Sequence, residues 1–230
     1  MHAGISDTER NGADRPRLWI VRHGETEWSR ARRHTGRTDL PLTAEGERQA
    51  RALRPLLAGL RFALVLTSPL RRARDTCRIA GLGDMAREES DLAEWDYGRH
   101  EGRTAEEIER SDPGWTIWTG TVPGGETADQ VAARADRAIA AALAGGGDAL
   151  LFSHGHLLRV LAARWLGLAA AEGRRFALDP ATIGILGHER AARVVRTWNA
   201  PVAWPSSEPR QGHDARGCRS PAPADPEGVP

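Results

Sequence analysis

Leu18-Trp19-Ile20-Val21-Arg22-His23-Gly24-Glu25-Thr26 runs four apolar residues straight into a polar tripeptide. A short apolar run that stops abruptly reads as a buried strand, and the residues after it as a loop at the strand's carboxyl end. The construction recurs twice. Phe62-Ala63-Leu64-Val65-Leu66 leads to Ser68-Pro69-Leu70-Arg71-Arg72, and Ala149-Leu150-Leu151-Phe152 leads to Ser153-His154-Gly155-His156.

Helical patterns separate these runs. Thr43 is a plausible N-cap for a helix carrying Ala50, Leu53, Leu56 and Leu57 at helical spacing, with Pro55 predicted to kink it or end its regular part. Ser68 is predicted to cap a second helix, with Pro69 at its first position and Gly81 beyond its end. Thr104 with Glu107, and Thr127 with Gln130, fit capping boxes that open helices near 105–110 and 128–143. Leu157, Val160, Leu161 and Trp165 mark a further helix, and Thr182–Leu186 and Ala192–Thr197 read as closing strands. The alternation predicts a single-domain α/β three-layer sandwich, a mostly parallel sheet with helices on both faces.

In open α/β sheets ligands bind beyond the carboxyl ends of the strands, so the three polar clusters should converge there. Two histidines and two arginines in one crevice make an anion site, and the arginine fork matches phosphate oxygens bidentately. Every one of the 32 basic residues is arginine, so any phosphate clamp must be guanidinium or imidazole. His156, two residues after His154, has no Cys or carboxylate cluster to make a metal pair with it and reads as a structural or rim histidine. Trp115 and Trp118 read as core or lid packing.

The rest of the composition bounds the class. A net charge of +1, with arginines spread along the chain, argues against a nucleic-acid footprint. No apolar stretch approaches the roughly 18 residues of a membrane span. The polar N-terminus and only two cysteines, Cys77 and Cys218, give a cytoplasmic expectation without a structural disulfide. Residues 1–16 read as a disordered lead and 200–230 as a disordered Pro-rich tail, leaving one domain at 17–199.

Arg22-His23-Gly24-Glu25-Thr26-Glu27-Trp28-Ser29, continuing through Gly36 to Asp39-Leu40-Pro41-Leu42-Thr43, resembles the histidine phosphatase superfamily, also called phosphoglycerate mutase-like. The resemblance continues in family order at Ser68–Ala73, Glu94–Gly98, Pro123–Glu126 and Ser153–Gly155, covering residues 17–199. Ala93–Gly98 and His34-Thr35-Gly36 are similar to a branch that includes acid phosphatases and sedoheptulose-1,7-bisphosphatases.

The resemblance implies a metal-independent phosphomonoesterase with no cofactor, working through a phosphohistidine. His23 would be the nucleophile; Arg22, Arg72 and His154 would cradle the phosphoryl oxygens. Arg72 rather than Arg71 is implied because the family's arginine immediately precedes the alanine, here Ala73. Glu94 would protonate the leaving alkoxide and then deprotonate water, which requires that burial or the substrate's charge favour its protonated form. Ser29, where many members carry asparagine, and His34, Thr35, Tyr97 and Arg159 would be substrate contacts.

The partner would be a small phosphorylated metabolite, with no nucleic acid and no membrane; a homodimer is allowed. Three other readings compete. A specific sugar bisphosphatase for sedoheptulose-1,7- or fructose-bisphosphate would need further cations, such as Arg37 or Arg159, facing the pocket. A phosphoglycerate mutase would be expected to carry a longer insertion than the 28 residues between Glu94 and Pro123. A non-catalytic phospholigand-binding module would be expected to lack one of His23, Arg22, Arg72, Glu94 or His154, and all five are present.

Overall fold

The opening apolar run becomes β1 (Leu18–Arg22), the second β2 (Leu64–Thr67) and the third β4 (Ala149–Ser153). The computed structural model describes residues 15–202; residues 1–14 and 203–230, which hold most of the predicted lead and tail and Cys218, lie outside the described residues. β3 (Ala86–Glu88), β5 (Ile183–Glu189) and β6 (Ala192–Ala200) complete a six-stranded sheet in the order β3-β2-β4-β1-β5-β6. β1, β2, β3 and β4 run parallel, β5 pairs antiparallel with β1, and β6 pairs antiparallel with β5.

Alternation along the strands divides the core. Leu18, Ile20, Ala149 and Leu151 pack on one face with α5 (Ala128–Leu143) and α6 (Gly155–Trp165). Val21, Leu150 and Phe152 pack on the other with α2 (Ala44–Leu57) and α3 (Arg71–Ile79). Each side chain so buried contributes about 1.5–3 kcal/mol relative to exposure, so both faces hold the parallel strands in place. Two short helices, α1 (Glu27–Arg30) and α4 (Ala105–Glu109), follow β1 and the Glu94 segment. Cys77 is buried on α3, its thiol pushed up to about 12 by burial. Among the described residues no helix is long and apolar enough to cross a membrane.

Three predicted details are corrected. Pro55 neither kinks off nor ends α2, which continues to Leu57. The proline removes only the donor for the Arg51 carbonyl, at an exposed residue where water can replace it. The predicted apolar stripe also loses Leu56, which is 47% exposed, while Ala50, Leu53 and Leu57 are buried. Ser68 does not cap α3, and Pro69 is not its first residue. The helix begins at Arg71, whose N–H donates to the Asp39 carboxylate at 2.7 Å, so the cap comes from a distant loop. Gly81 does follow the end of α3, at φ +87°, where a side chain would be strained.

Candidate active site

His23 lies one residue beyond β1, with its N–H donating to Ser153 O at 2.9 Å. Its ring Nδ1 lies 2.7 Å from Gly24 O. A carbonyl can only accept, so Nδ1 carries the proton and Nε2 keeps a free lone pair. Burial, then Arg72 and then Arg22, push its pKa well below the ordinary 6.5, against a smaller opposing pull from the Gly24 carbonyl. The imidazole is therefore neutral.

The loop carrying it is clamped from below. Glu25 N–H donates to Gln49 at 2.8 Å, Thr43 N–H to Glu25 O at 2.9 Å, and Gly24 N–H to the Thr76 hydroxyl at 3.0 Å. The approach to α2 is so close that a Cβ on Gly24 would sit 2.4 Å from Gly46 O. Only glycine fits both positions.

Arg72 and His154 form the floor behind His23. Arg72 Nε donates to His154 Nδ1 at 3.1 Å, which leaves the His154 proton on Nε2, 2.7 Å from the Ser68 hydroxyl. Burial first, then Arg72, His23 and Arg22, hold His154 well below 6.5. The Arg72 guanidinium, fully buried, also donates to Thr38 O, Thr35 O and Gly36 O at 2.9–3.0 Å. These bonds engage four of its five N–H groups. The His23 and His154 rings are 5.2 Å apart. Arg22 donates through NH1 to Leu178 O, while its buried Nε has no partner.

A cavity of about 330 Å³ opens above, lined by Arg22, His23, Ser29, His34, Thr35, Glu94, Tyr97 and Arg159 among others. Eight of the ten expected residues face it; Arg72 and His154 sit beneath rather than on its wall. Glu94 is held at the start of α6, its carboxylate accepting from Leu157 N and Trp95 N at 2.9 Å and from His156 N at 3.0 Å. Tyr97 is buried, and its hydroxyl meets His156 Nδ1 at 2.6 Å. Burial and then Glu94 push the phenol well above 10, so it donates. Burial and then Arg159 hold His156 well below 6.5, so it accepts.

The His34 ring packs edge-on against Tyr97 and Trp115, and its Nδ1–H donates to Arg103 O at 2.8 Å. Ser29 faces the cavity, but its hydroxyl is engaged in capping α1: it accepts from Thr26 N and donates to Thr26 O. Thr35 donates to Arg33 O at 3.1 Å. Arg159 lines the cavity with its guanidinium over the Trp118 ring, 4.5 Å from the centroid, whereas Arg37 turns away to Asp96 at 2.8 Å.

Arg32, Arg33, His156 and Asp179 also line the cavity and were not among the expected contacts. Arg32 and Arg33 immediately precede His34, so their proximity had a sequence signal. Asp179 had none, because its loop reaches the site only through the antiparallel pairing of β5 with β1. Among the described residues no group of three or more His, Cys, Asp or Glu side chains is arranged to hold a metal ion.

Comparison with known proteins identifies the family. Residues 18–201 match the histidine phosphatase superfamily (branch 1). An acid phosphatase of Mycobacterium tuberculosis is 45% identical over 186 residues, 79% of this chain and 91% of that protein. The sedoheptulose 1,7-bisphosphatase of Saccharomyces cerevisiae is 37% identical over 186 residues, 66% of this chain and 68% of that one. A Salmonella choleraesuis protein named "Probable phosphoglycerate mutase GpmB" is 32% identical, covering 81% of this chain and 91% of its own. The solved structure of an open reading frame product from Mycobacterium tuberculosis superposes with a TM-score of 0.77 at 44% identity, covering 81% of this chain and 98% of its own.

Proposed function

Because the chain belongs to the histidine phosphatase superfamily, and is a phosphatase, we propose that it hydrolyses small phosphomonoesters through a phosphohistidine on His23, without a metal. The observation that carries this reading is the neutral His23 ring, its Nδ1 proton fixed on Gly24 O and its Nε2 lone pair free beside Arg22. Glu94, a carboxylate in the free enzyme, takes up a proton as the anionic substrate binds; Nε2 then attacks phosphorus, the ester P–O bond breaks, and the departing alkoxide takes that proton from Glu94. Glu94 then removes a proton from water; the resulting hydroxide attacks phosphorus and the P–N bond breaks. Inorganic phosphate leaves and the neutral imidazole is restored. The unpartnered Arg22 Nε and the remaining Arg72 N–H supply donors to the phosphoryl oxygens, where charge develops. His154 Nε2–H joins them on leaving Ser68.

The substrate is a small phosphorylated metabolite, and the cavity wall favours one with a second anionic group. Arg32 and Arg159 line it in addition to Arg22, against the two carboxylates Glu94 and Asp179, while Arg33 at the wall is paired with Glu107 at 3.2 Å. That surplus of positive charge supports a sugar bisphosphatase as the specific form of the reading, with His34 and Tyr97 shaping the wall. Transfer to water rather than to a second hydroxyl is supported by the short 28-residue connection between Glu94 and Pro123.

The test is phosphate release from a panel of sugar mono- and bisphosphates in the presence of EDTA. Activity that EDTA abolishes contradicts the metal-free mechanism. The His23→Ala protein should trap no label from a phosphorylated substrate, and persistent label would move the nucleophile elsewhere. Conversion of 3- to 2-phosphoglycerate that depends on a bisphosphoglycerate primer would establish the mutase reading instead.

A further inference from the structure

Behind Glu94, on the side away from the cavity, one guanidinium engages all of its hydrogens. Arg134 on α5 donates Nε–H to Glu126 Oε1 and one NH2 hydrogen to Glu126 Oε2, both at 2.7 Å. Its other three hydrogens go to main-chain carbonyls of the segment that carries Glu94: Asp91 O at 2.9 Å, Ala93 O at 2.8 Å and Glu94 O at 3.3 Å. The carbonyl between them, Leu92 O, accepts from the buried Ser153 hydroxyl at 2.7 Å. Four consecutive carbonyls are thus held by donors from outside the segment.

Glu126 grips the same segment from the other direction. Its carboxylate accepts from Asp96 N at 3.0 Å, its carbonyl from Trp95 Nε1 at 2.8 Å, and its N–H donates to Asp96 O at 2.9 Å. The ion pair is mostly buried, with 14% and 21% of the two side chains exposed.

We propose that Arg134, locked by Glu126, is a positioning residue that fixes Glu94 for proton transfer to the leaving group. The proposal rests on Glu94 being the acid and base of the mechanism above. The turn Ser90–Leu92 is closed by the Ala93 N–H on Ser90 O at 3.0 Å, but beyond it residues 94–96 lie in no helix or strand. The Glu94 carboxylate is pinned by α6 amides on one side, and its backbone by Arg134 on the other. A general acid contributes about 10²–10⁴-fold, and a misplacement of about 1 Å can cost about 10²-fold. Lysine keeps the charge at this position but lacks the planar five-donor fork, so it cannot hold both the carboxylate and the three carbonyls.

The experiment compares two leaving groups in the full-length enzyme. An alkyl phosphate needs a proton on its leaving alkoxide, whereas nitrophenolate departs from nitrophenyl phosphate without one. Single-turnover release of alcohol and of nitrophenolate is measured for Arg134→Lys, for Glu126→Gln and for Glu94→Gln. Thermal melting checks that each variant is folded, and the milder Glu126→Gln answers the question if Arg134→Lys fails to fold.

The expected result is a loss of at least about tenfold on the alkyl ester in all three variants, with nitrophenolate release kept within about threefold. Equal losses on both substrates in the Arg134 and Glu126 variants, or no loss on either, would overturn the positioning role. If Glu94→Gln itself shows no leaving-group split, the acid assignment fails, and that failure is separate from the first.

Discussion

Lowering the pH from 8 to 5 tests the state of His23, the proposed nucleophile, directly. A histidine at its ordinary pKa of about 6.5 is only about 3% neutral at pH 5, so phosphorylation by such a residue would slow roughly 30-fold over this range. His23 differs because burial, then Arg72 and Arg22, lower its pKa well below that value. The further below 6.5 the ring titrates, the more of it stays neutral at pH 5, so the loss should fall well short of about 30-fold. The assay is single-turnover phosphorylation by nitrophenyl phosphate, whose leaving group needs no proton from Glu94, from pH 4 to 8, corrected for the substrate phosphate's own ionisation near pH 6. It is paired with the ¹⁵N resonances of the imidazoles, His23→Ala identifying the relevant signal. An imidazole signal that titrates near 6.5 in the free enzyme would refute the reasoning, because the burial and the two guanidiniums would then have no effect on the ring. The same shifts set a stability trend. A base whose folded pKa is lowered stabilises the fold above its unfolded value of about 6.5, and that stability is lost as pH falls below it. His23, His154 and His156 are all lowered in this way by burial first. At about 1.4 kcal/mol per pH unit each, their combined ceiling is roughly 4 kcal/mol per unit, against a total stability of about 5–15 kcal/mol. Ligand-free enzyme should therefore lose Tm steeply between pH 6.5 and 5, and bound phosphate should restore part of it.

Three substitutions test other parts of the structure. Gly46→Ala would put a Cβ 2.1 Å from the Glu25 carbonyl, so it should destabilise the protein by about 3 kcal/mol or more in urea titration, with loss of activity; a neutral result would contradict the close approach of α2 to the His23 loop. Thr127→Ala removes the α5 N-cap, an exposed hydrogen bond to Gln130 N at 3.3 Å, and should cost about 1 kcal/mol, or about 2–4 °C in Tm, with kcat unchanged. Arg159→Ala removes a cavity cation and its contact with Trp118, and should raise KM for sugar bisphosphates about tenfold more than for monophosphates; equal effects on both would place the second anion elsewhere.

What could be read from the sequence was what local chemistry decides. The capping boxes at Thr104 and Thr127 form as expected, because both partners lie within one helical turn. The start of α3 could not be read, because its cap is Asp39, 32 residues upstream, while Ser68 is drawn to His154, 86 residues downstream. β3 has only Ala86-Arg87-Glu88 and no buried residue, so it leaves no apolar signature; it exists because β2 offers it an edge. Arg71 and Arg72 are chemically identical neighbours, yet the first is exposed and paired with Asp75 while the second is fully buried on His154. Burial of that kind depends on helix phase against the sheet, which residue type does not encode.

The convergence of the site was legible for a stronger reason. β1 and β4 pair in register from Leu18 with Ala149 to Arg22 with Ser153, which brings His23 and His154 out side by side. That register is fixed by the apolar alternation, since a one-residue slip would turn Leu18 and Ile20 towards α2 and α3 and Val21 towards α5 and α6. The same slip would carry His23 away from Ser153 O and Arg72. The pattern that buries the strands is therefore also the pattern that assembles the site, and a reading of the hydrophobic run before Arg22 is already a reading of where His23 must stand.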